Sequence, residues 1–278
     1  MLTTTADLIS AARESRAPVL AFNVITLEHV EAVADAAAEV GVGVIVQVSE
    51  NAVRYHRGAR PLTAAVLATA ETHEARLSLH LDHVEDLELL HSAVDLGASS
   101  FMVDASRLPD DENTAVTRKA AEWGHEHGLL VEAELGAVGG KGGAHTPGVR
   151  TDPDEAAAFV AATGVDALAV AVGSEHARTQ RTSSLDQELI HRLAAAVPVP
   201  LVLHGSSGVD EPTLRDAAAN GIVKINVGTL LNVAFTSAVR EQLAADPSGV
   251  DPRRYLAAAR AAAAAAAAGT LRALAVPA

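Results

Sequence analysis

Short apolar, β-branched runs recur along the chain at Val19 to Val24, Val44 to Val48, Leu77 to Asp82, Ser100 to Ala105, Leu129 to Leu135, Ala167 to Gly173, Leu201 to Gly205 and Val223 to Val227. Each has strand length, and most are predominantly apolar, as strands buried on both faces are. The intervening segments have helical character. Thr26-Leu-Glu-His-Val-Glu-Ala-Val-Ala-Asp and Asp152-Pro-Asp-Glu-Ala-Ala-Ala-Phe-Val begin with a capping residue, the second with proline in its first turn. Eight strands stepped by about 22 to 38 residues are what βα units require. They predict an α/β fold, a (β/α)8 TIM barrel. A doubly wound open sheet also alternates strands with helices, but it would carry a glycine-rich turn after its first strand. Here that strand runs into Asn23-Val-Ile-Thr-Leu-Glu, which has no glycine.

Ahead of the first strand, Thr3 to Arg13 reads as a helix able to plug the lower end of the barrel. Beyond the eighth helix, Asp251 to Ala278 is dominated by alanine, unbroken from Ala261 to Ala268, and reads as a helical tail. Nothing marks a linker, so residues 1–278 are expected to form a single domain. The long irregular segment Gly136 to Thr151 holds five glycines between Ala137 and Gly148 and has the look of a mobile active-site loop.

Composition narrows the function. With 49% hydrophobic and 20% charged residues the chain is a globular folder. A net charge of -14 argues against nucleic acid and anionic membrane as partners. The absence of cysteine excludes disulfides and thiolate metal ligands. MLTTTADLIS lacks the basic start and long apolar run of a secretion signal, and no apolar run reaches the roughly 18 residues of a membrane span, so a cytoplasmic location is expected.

Polar residues at the C-terminal ends of barrel strands face the active-site mouth. Those ends carry Asn23, Ser49, Asp82 with His83, Asp104, Glu132 with Glu134, His176, His204 with Gly205-Ser206-Ser207, and Asn226 with Thr229. Three of the 12 histidines thus follow strands three, six and seven. Any one of them could be a satisfied polar residue. Three imidazoles converging on one mouth match a catalytic zinc site with a fourth position open. Asp82 beside one of them suits acid/base work, or could be a helix cap. His29, His73, His91 and His191 fall inside predicted helices and are expected at the surface. His80 shares the side of Asp82 and is expected to be a hydrogen-bonded core residue. Leu203-His-Gly-Ser-Ser-Gly-Val209, together with Asn226-Val-Gly-Thr229, offers small residues and backbone amides where a barrel commonly takes a phosphate.

AFNVITLEHVEAV, VIVQVSENA, LHLDHV, VEAELGAVGG, TDPDEAAAFVAATGVDALAVAVGSEHA, LVLHGSSGV, VKINVGTLLNVAF and DPRRYL, in this order, resemble the class II, metal-dependent ketose-bisphosphate aldolases of the fructose- and tagatose-bisphosphate type, through nearly the whole chain. The resemblance implies a carbon–carbon lyase acting on a sugar phosphate, and a homodimer or homotetramer. Its cofactor would be Zn2+ or another divalent ion, with room for a monovalent cation. It implies that His83, His176 and His204 hold the zinc, with Glu134 as a nearby carboxylate that takes part when the ion shifts. Asp82 would move the proton of the C4 hydroxyl. Gly205, Ser207, Asn226 and Thr229 would cradle the phosphate of dihydroxyacetone phosphate, Asn23 and Ser49 would contact the aldehyde half, and Arg253 would grip its distal phosphate. In such enzymes the ion acts as a Lewis acid on the enediolate left by cleavage beside a ketone.

Four departures from the family pattern stand out. Val84 and Ala177 replace glycines after the first and second zinc histidines. Gly228 stands where fructose-type enzymes carry Asp and tagatose-type enzymes Ala, which leans toward a tagatose-like or other acceptor. The loop acid expected after Gly139-Gly140 is replaced by Lys141-Gly142-Gly143, with Lys141 and His145 as loop candidates. The alternative expectation is a catalytically impaired zinc protein that binds a sugar phosphate.

Overall fold

The computed structural model describes residues 1–135, 150–174 and 184–275. Eight parallel strands close into a barrel in sequence order: β1 (Val19–Asn23), β2 (Val44–Ser49), β3 (Leu77–Val84), β4 (Ser100–Val103), β5 (Leu130–Glu134), β6 (Ala167–Ala169), β7 (Leu201–Leu203) and β8 (Ile222–Val227). Pairing of Val19 with Lys224 and of Ala21 with Asn226 closes the ring. The expected (β/α)8 architecture is therefore the one observed. β6 and β7 are shorter than the apolar runs that announced them, whereas β3 runs two residues further, through His83 and Val84.

α1 (Thr5–Ser15) precedes β1, and α2 (Leu27–Val40) follows it. Next come α3 (Glu50–His56), α4 (Arg60–Thr72), α5 (Leu87–His91), α6 (Asp110–Glu126), α7 (Pro153–Thr163), α8 (Gln187–Ala196), α9 (Glu211–Ala219) and α10 (Thr229–Ala245). The alanine-rich tail forms α11 (Pro252–Leu274), capped by Asp251 and tied to α2 by Arg260–Glu31 and Arg272–Glu39.

Strand alternation explains the two layers of the core. Leu20, Phe22, Val46, Leu79, Leu81, Phe101, Val131, Leu168 and Leu203 turn outward into one large cluster shared with the helices. The inward positions form separate, smaller groups. At the base, Leu8, Ile9 and Ala12 of α1 pack on Val19, Ala21 and Ile45, so α1 does plug the lower end. Thr5 at its start hydrogen-bonds Ser78 at 3.1 Å and Ser100 at 2.6 Å. Higher up the interior turns polar: Gln47, His80, Asp82, Glu132, His204, Lys224 and Asn226 are all buried. Burying such groups is costly unless they are paired. Hydrogen bonds between strands hold most of them, while Gln47 Oε1, His80 Nε2 and Asn226 Oδ1 have no partner among the described residues.

One expectation about the histidines fails. His29 is only 3% exposed, because its face of α2 packs under α10, where its ring stacks on Phe235 at 4.6 Å. Its Nδ1 meets the Thr26 hydroxyl at 3.0 Å, and burial pushes its pKa down. A helical position says nothing by itself about what covers that face. His91 and His191 are exposed as expected, and His73 is half-buried.

Candidate active site

The strand ends open into one cavity of about 640 Å³ at the C-terminal mouth of the barrel. Asn23, Ser49, Asp82, His83, Asp104, Glu134, Gly205, Ser207, Asn226 and Thr229 all line it. His204 lies directly beneath, fully buried, with His83 over it. His176 and the residues of the glycine-rich loop, Lys141 and His145 among them, lie outside the described residues, as does Ala177.

β3 ends in an unusual turn. Asp82 still pairs in register with Ser49, but the β3–β4 register shifts between Leu81 and Val84, and His83 adopts φ 50°. A left-handed conformation costs a non-glycine residue roughly 1–3 kcal/mol and persists only where its surroundings hold it. Its effect is to turn two consecutive side chains, Asp82 and His83, toward the same cavity, which ordinary alternation forbids.

Asp82 is 2% exposed and is held on both oxygens: Asn23 Nδ2 donates to Oδ2 and Gln47 Nε2 to Oδ1, each at 2.7 Å. Its orientation is therefore set by β1 and β2. Gln47 had no role in the sequence reading, although a lone glutamine in Val-Ile-Val-Gln-Val-Ser was the signal that could have found it.

The two histidines are oriented from behind. His83 Nδ1 meets Asp104 Oδ2 at 2.7 Å, and Asp104 Oδ1 is held by the Ser106 hydroxyl at 2.7 Å. His204 Nε2 meets Glu132 Oε1 at 3.0 Å, and the other oxygen of Glu132 accepts from Lys224 Nζ at 2.6 Å. A carboxylate can only accept, so each takes the N–H of its histidine and leaves the far ring nitrogen as a lone pair. Those far nitrogens, His83 Nε2 and His204 Nδ1, face each other at 3.1 Å. Two lone pairs at that separation repel unless a cation or proton lies between them.

The electrostatics agree. Burial opposes charge on His83, but the field of Asp82, the hydrogen bond and charge of Asp104, and Glu134 outweigh it and push its pKa up to about 10. Burial also works against the Asp104 carboxylate, yet bonding to His83 holds it well below the ordinary range. His80, deeper in the barrel, is held neutral by burial and by the nearby Lys224 charge, with Nδ1 against Ser100 Oγ at 2.8 Å. The mouth thus has an excess of negative charge that a proton on His83 only partly offsets. Donor atoms of Asp82, His83 and His204 all lie within 4.8 Å of one another, as do those of His83, Asp104 and Glu134. A nitrogen- and oxygen-rich set of this kind fits a borderline divalent ion such as zinc.

Opposite the acids, β7 and β8 supply a different surface. Gly205 at φ 66° turns the chain into a short 3-10 turn, Ser206–Gly208, anchored by the Ser206 hydroxyl on the Asn226 carbonyl. Asn226 is 6% exposed, and its side-chain oxygen has no hydrogen-bond partner among the described residues, so it is available to a ligand. Gly228 packs beside Asn23, where a Cβ would make ordinary van der Waals contact at 3.5 Å, so a small side chain would fit there without displacing its neighbour.

Arg253 is the expected substrate contact that the structure does not bring to the cavity. Its side chain is 89% exposed and folded onto Asp251 at 2.7 Å. The cavity rim carries Arg54 and Arg107 instead, which the sequence reading missed because neither sits at a strand end.

This arrangement has relatives. A probable fructose-bisphosphate aldolase of Bacillus subtilis (strain 168) is 38% identical over 270 residues, covering 96% of this chain and 95% of its own. A fructose-bisphosphate aldolase of Staphylococcus aureus (strain Mu50) is 36% identical over 260 residues, covering 91% and 90%. Among solved structures, the YdjI aldolase of Escherichia coli K12 superposes with a TM-score of 0.85 at 31% identity, covering 100% of this chain and 98% of its own. No helix among the described residues is long and apolar enough to cross a membrane. Residues 3–276 match the family model described as fructose-bisphosphate aldolase class-II, and the chain is a member of that family of aldolases.

Proposed function

We propose that the chain is a zinc-dependent aldolase that makes or breaks a ketose 1-phosphate or 1,6-bisphosphate, with dihydroxyacetone phosphate as the donor half. The observation carrying this reading is the convergence of Asp82, His83 and His204, oriented from behind, on one floor of the cavity. His83 and His204 would hold the ion together with His176, with Glu134 as an additional carboxylate. Bound there, a divalent ion supplies Lewis-acid stabilisation of the negative charge released when a bond beside a ketone breaks. Asp82, fixed by Asn23 and Gln47, takes the proton from the C4 hydroxyl on cleavage and returns it on condensation. The turn at Gly205 to Ser207, with Asn226 and Thr229, receives the phosphate of the triose. Asn23 and Ser49 face the aldehyde half, and Gly228, which lacks the carboxylate of the fructose-type contact, suits a tagatose-type or other acceptor better.

The test is exchange of the C3 hydrogen of dihydroxyacetone phosphate in D2O, followed by NMR on zinc-loaded and chelator-treated protein. Exchange that requires metal is the expected result. No exchange by the zinc-loaded protein would mean a different donor or a lost proton transfer at C3, and would favour a protein that binds a sugar phosphate without turning it over.

A further inference from the structure

Glu50 has no part in the chemistry described above, yet it is a buried carboxylate beside it. It opens α3 directly after Ser49 and is 6% exposed. Its Oε1 takes the Arg54 guanidinium. Its Oε2 accepts the backbone N–H groups of Glu85 at 2.6 Å and of Asp86 at 3.0 Å. Both amides belong to the segment that leaves His83, and Asp86 then caps α5.

We infer that Glu50 is a positioning residue for metal binding, whose carboxylate clamps the backbone after His83 and so maintains the left-handed turn that aims this imidazole at the ion. The inference rests on the reading of His83 as a ligand. The geometry explains why a clamp is needed. On the upstream side the strained turn is held by Asn23 and Gln47 through Asp82. Val84 is tied to β4 through its carbonyl, which accepts from Asp104 N at 2.9 Å. The backbone N–H groups of the two residues that follow are tied to the start of α3, just beyond β2, by Glu50 alone among the described residues. Without that tie the His83 backbone can relax toward the extended conformation a non-glycine residue prefers, and ordinary alternation then carries the ring away from His204. The role is geometric rather than electrostatic. A glutamine can accept both amides with its carbonyl oxygen, whereas an aspartate keeps the charge but is one methylene too short to reach.

The experiment measures Zn2+ affinity by competition with a chromophoric chelator, on wild type, Glu50→Gln, Glu50→Asp, Glu50→Ala and His83→Ala. Circular dichroism of each chelator-treated protein checks the fold, and Co2+ absorption spectra report the ligand field. Glu50→Ala and Glu50→Asp should each lose roughly 10-fold or more in affinity, with an altered cobalt spectrum, as disturbed support of a ligating histidine does. Glu50→Gln should stay within about threefold of wild type. If Glu50→Ala does not fold, the contrast between Asp and Gln carries the test. Folded Glu50→Asp with wild-type affinity and spectrum would overturn the inference. So would failure of both Ala and Asp variants to fold, because Glu50 would then serve the fold rather than the ligand. Wild type and His83→Ala binding zinc equally would instead remove His83 as a ligand, a failure of the underlying reading that these measurements separate from the first.

Discussion

Lys224→Met tests whether the charged interior of the barrel supports the histidine above it. Lys224 is wholly inaccessible, and its ammonium lies 2.6 Å from Glu132, which is 1% accessible and also holds His204 at 3.0 Å. Methionine keeps much of the apolar stem but removes the cation, so Glu132 is left buried with a neutral imidazole as its remaining partner. Breaking a buried pair by deleting one side costs about 3–5 kcal/mol, most of it the penalty of a stranded charge. At roughly 2–4 °C per kcal/mol for a chain of this size, Tm should fall by roughly 6–20 °C. Adding Glu132→Gln removes the stranded charge while its carbonyl can still accept from His204, so the double variant should recover at least half of the loss. Urea unfolding of chelator-treated protein, arranged as a double-mutant cycle, measures both. A loss under about 1 kcal/mol for Lys224→Met, or additive effects in the pair, would refute the argument.

Two further outcomes are expected. In chelator-treated protein His83 holds its proton up to a pH of about 10, against about 6.5 in the unfolded chain. Because the folded value is raised, its stabilisation is complete below about pH 6.5 and fades as pH climbs toward 10. Thermal melts across that range should show the decline, and His83→Gln should abolish that part of it; an unchanged slope in the variant would assign the effect elsewhere. Asp82→Asn should lower carbon–carbon cleavage by roughly 100-fold or more while C3 hydrogen exchange of dihydroxyacetone phosphate persists, because its role is confined to the C4 hydroxyl. Equal loss of both activities in a steady-state and NMR comparison would give Asp82 a wider part.

The barrel was legible because continuous apolar strands separated by capped helices allow few arrangements, and the plug α1 and tail α11 followed from the same patterning. Asp82, His83 and Asn226 were legible as polar residues ending apolar runs. Gln47, Glu50 and Lys224 were not. Lys224 sits in Ile-Val-Lys-Ile-Asn-Val, where a lysine ordinarily signals a solvent face, and its partner Glu132 is brought to it only by barrel closure. Glu50 reads locally as a favourable acid in the first turn of α3, and only the fold places the β3 amides against it. His29 failed for the same reason, since α10 covers it from a distant part of the chain. The left-handed turn at His83 has no local signature either, because the residue that adopts it is neither glycine nor asparagine.

The pairing of β1 with β8 also constrains how the molecule is made. Val19 meets Lys224, so the seam joins one of the earliest elements to the last strand. During synthesis from the N-terminus, β1 must wait with an unpaired edge until nearly the whole chain has emerged, and each newly added strand becomes a temporary edge in its turn. Only β8 removes both edges at once. A ribosome that stalls after β7 would therefore release a sheet with two sticky margins, and the polar interior that later serves the site would be open to water on one side. Completion of the eighth strand is both the step that ends this exposure and the step that delivers Lys224 and Asn226 to the interior.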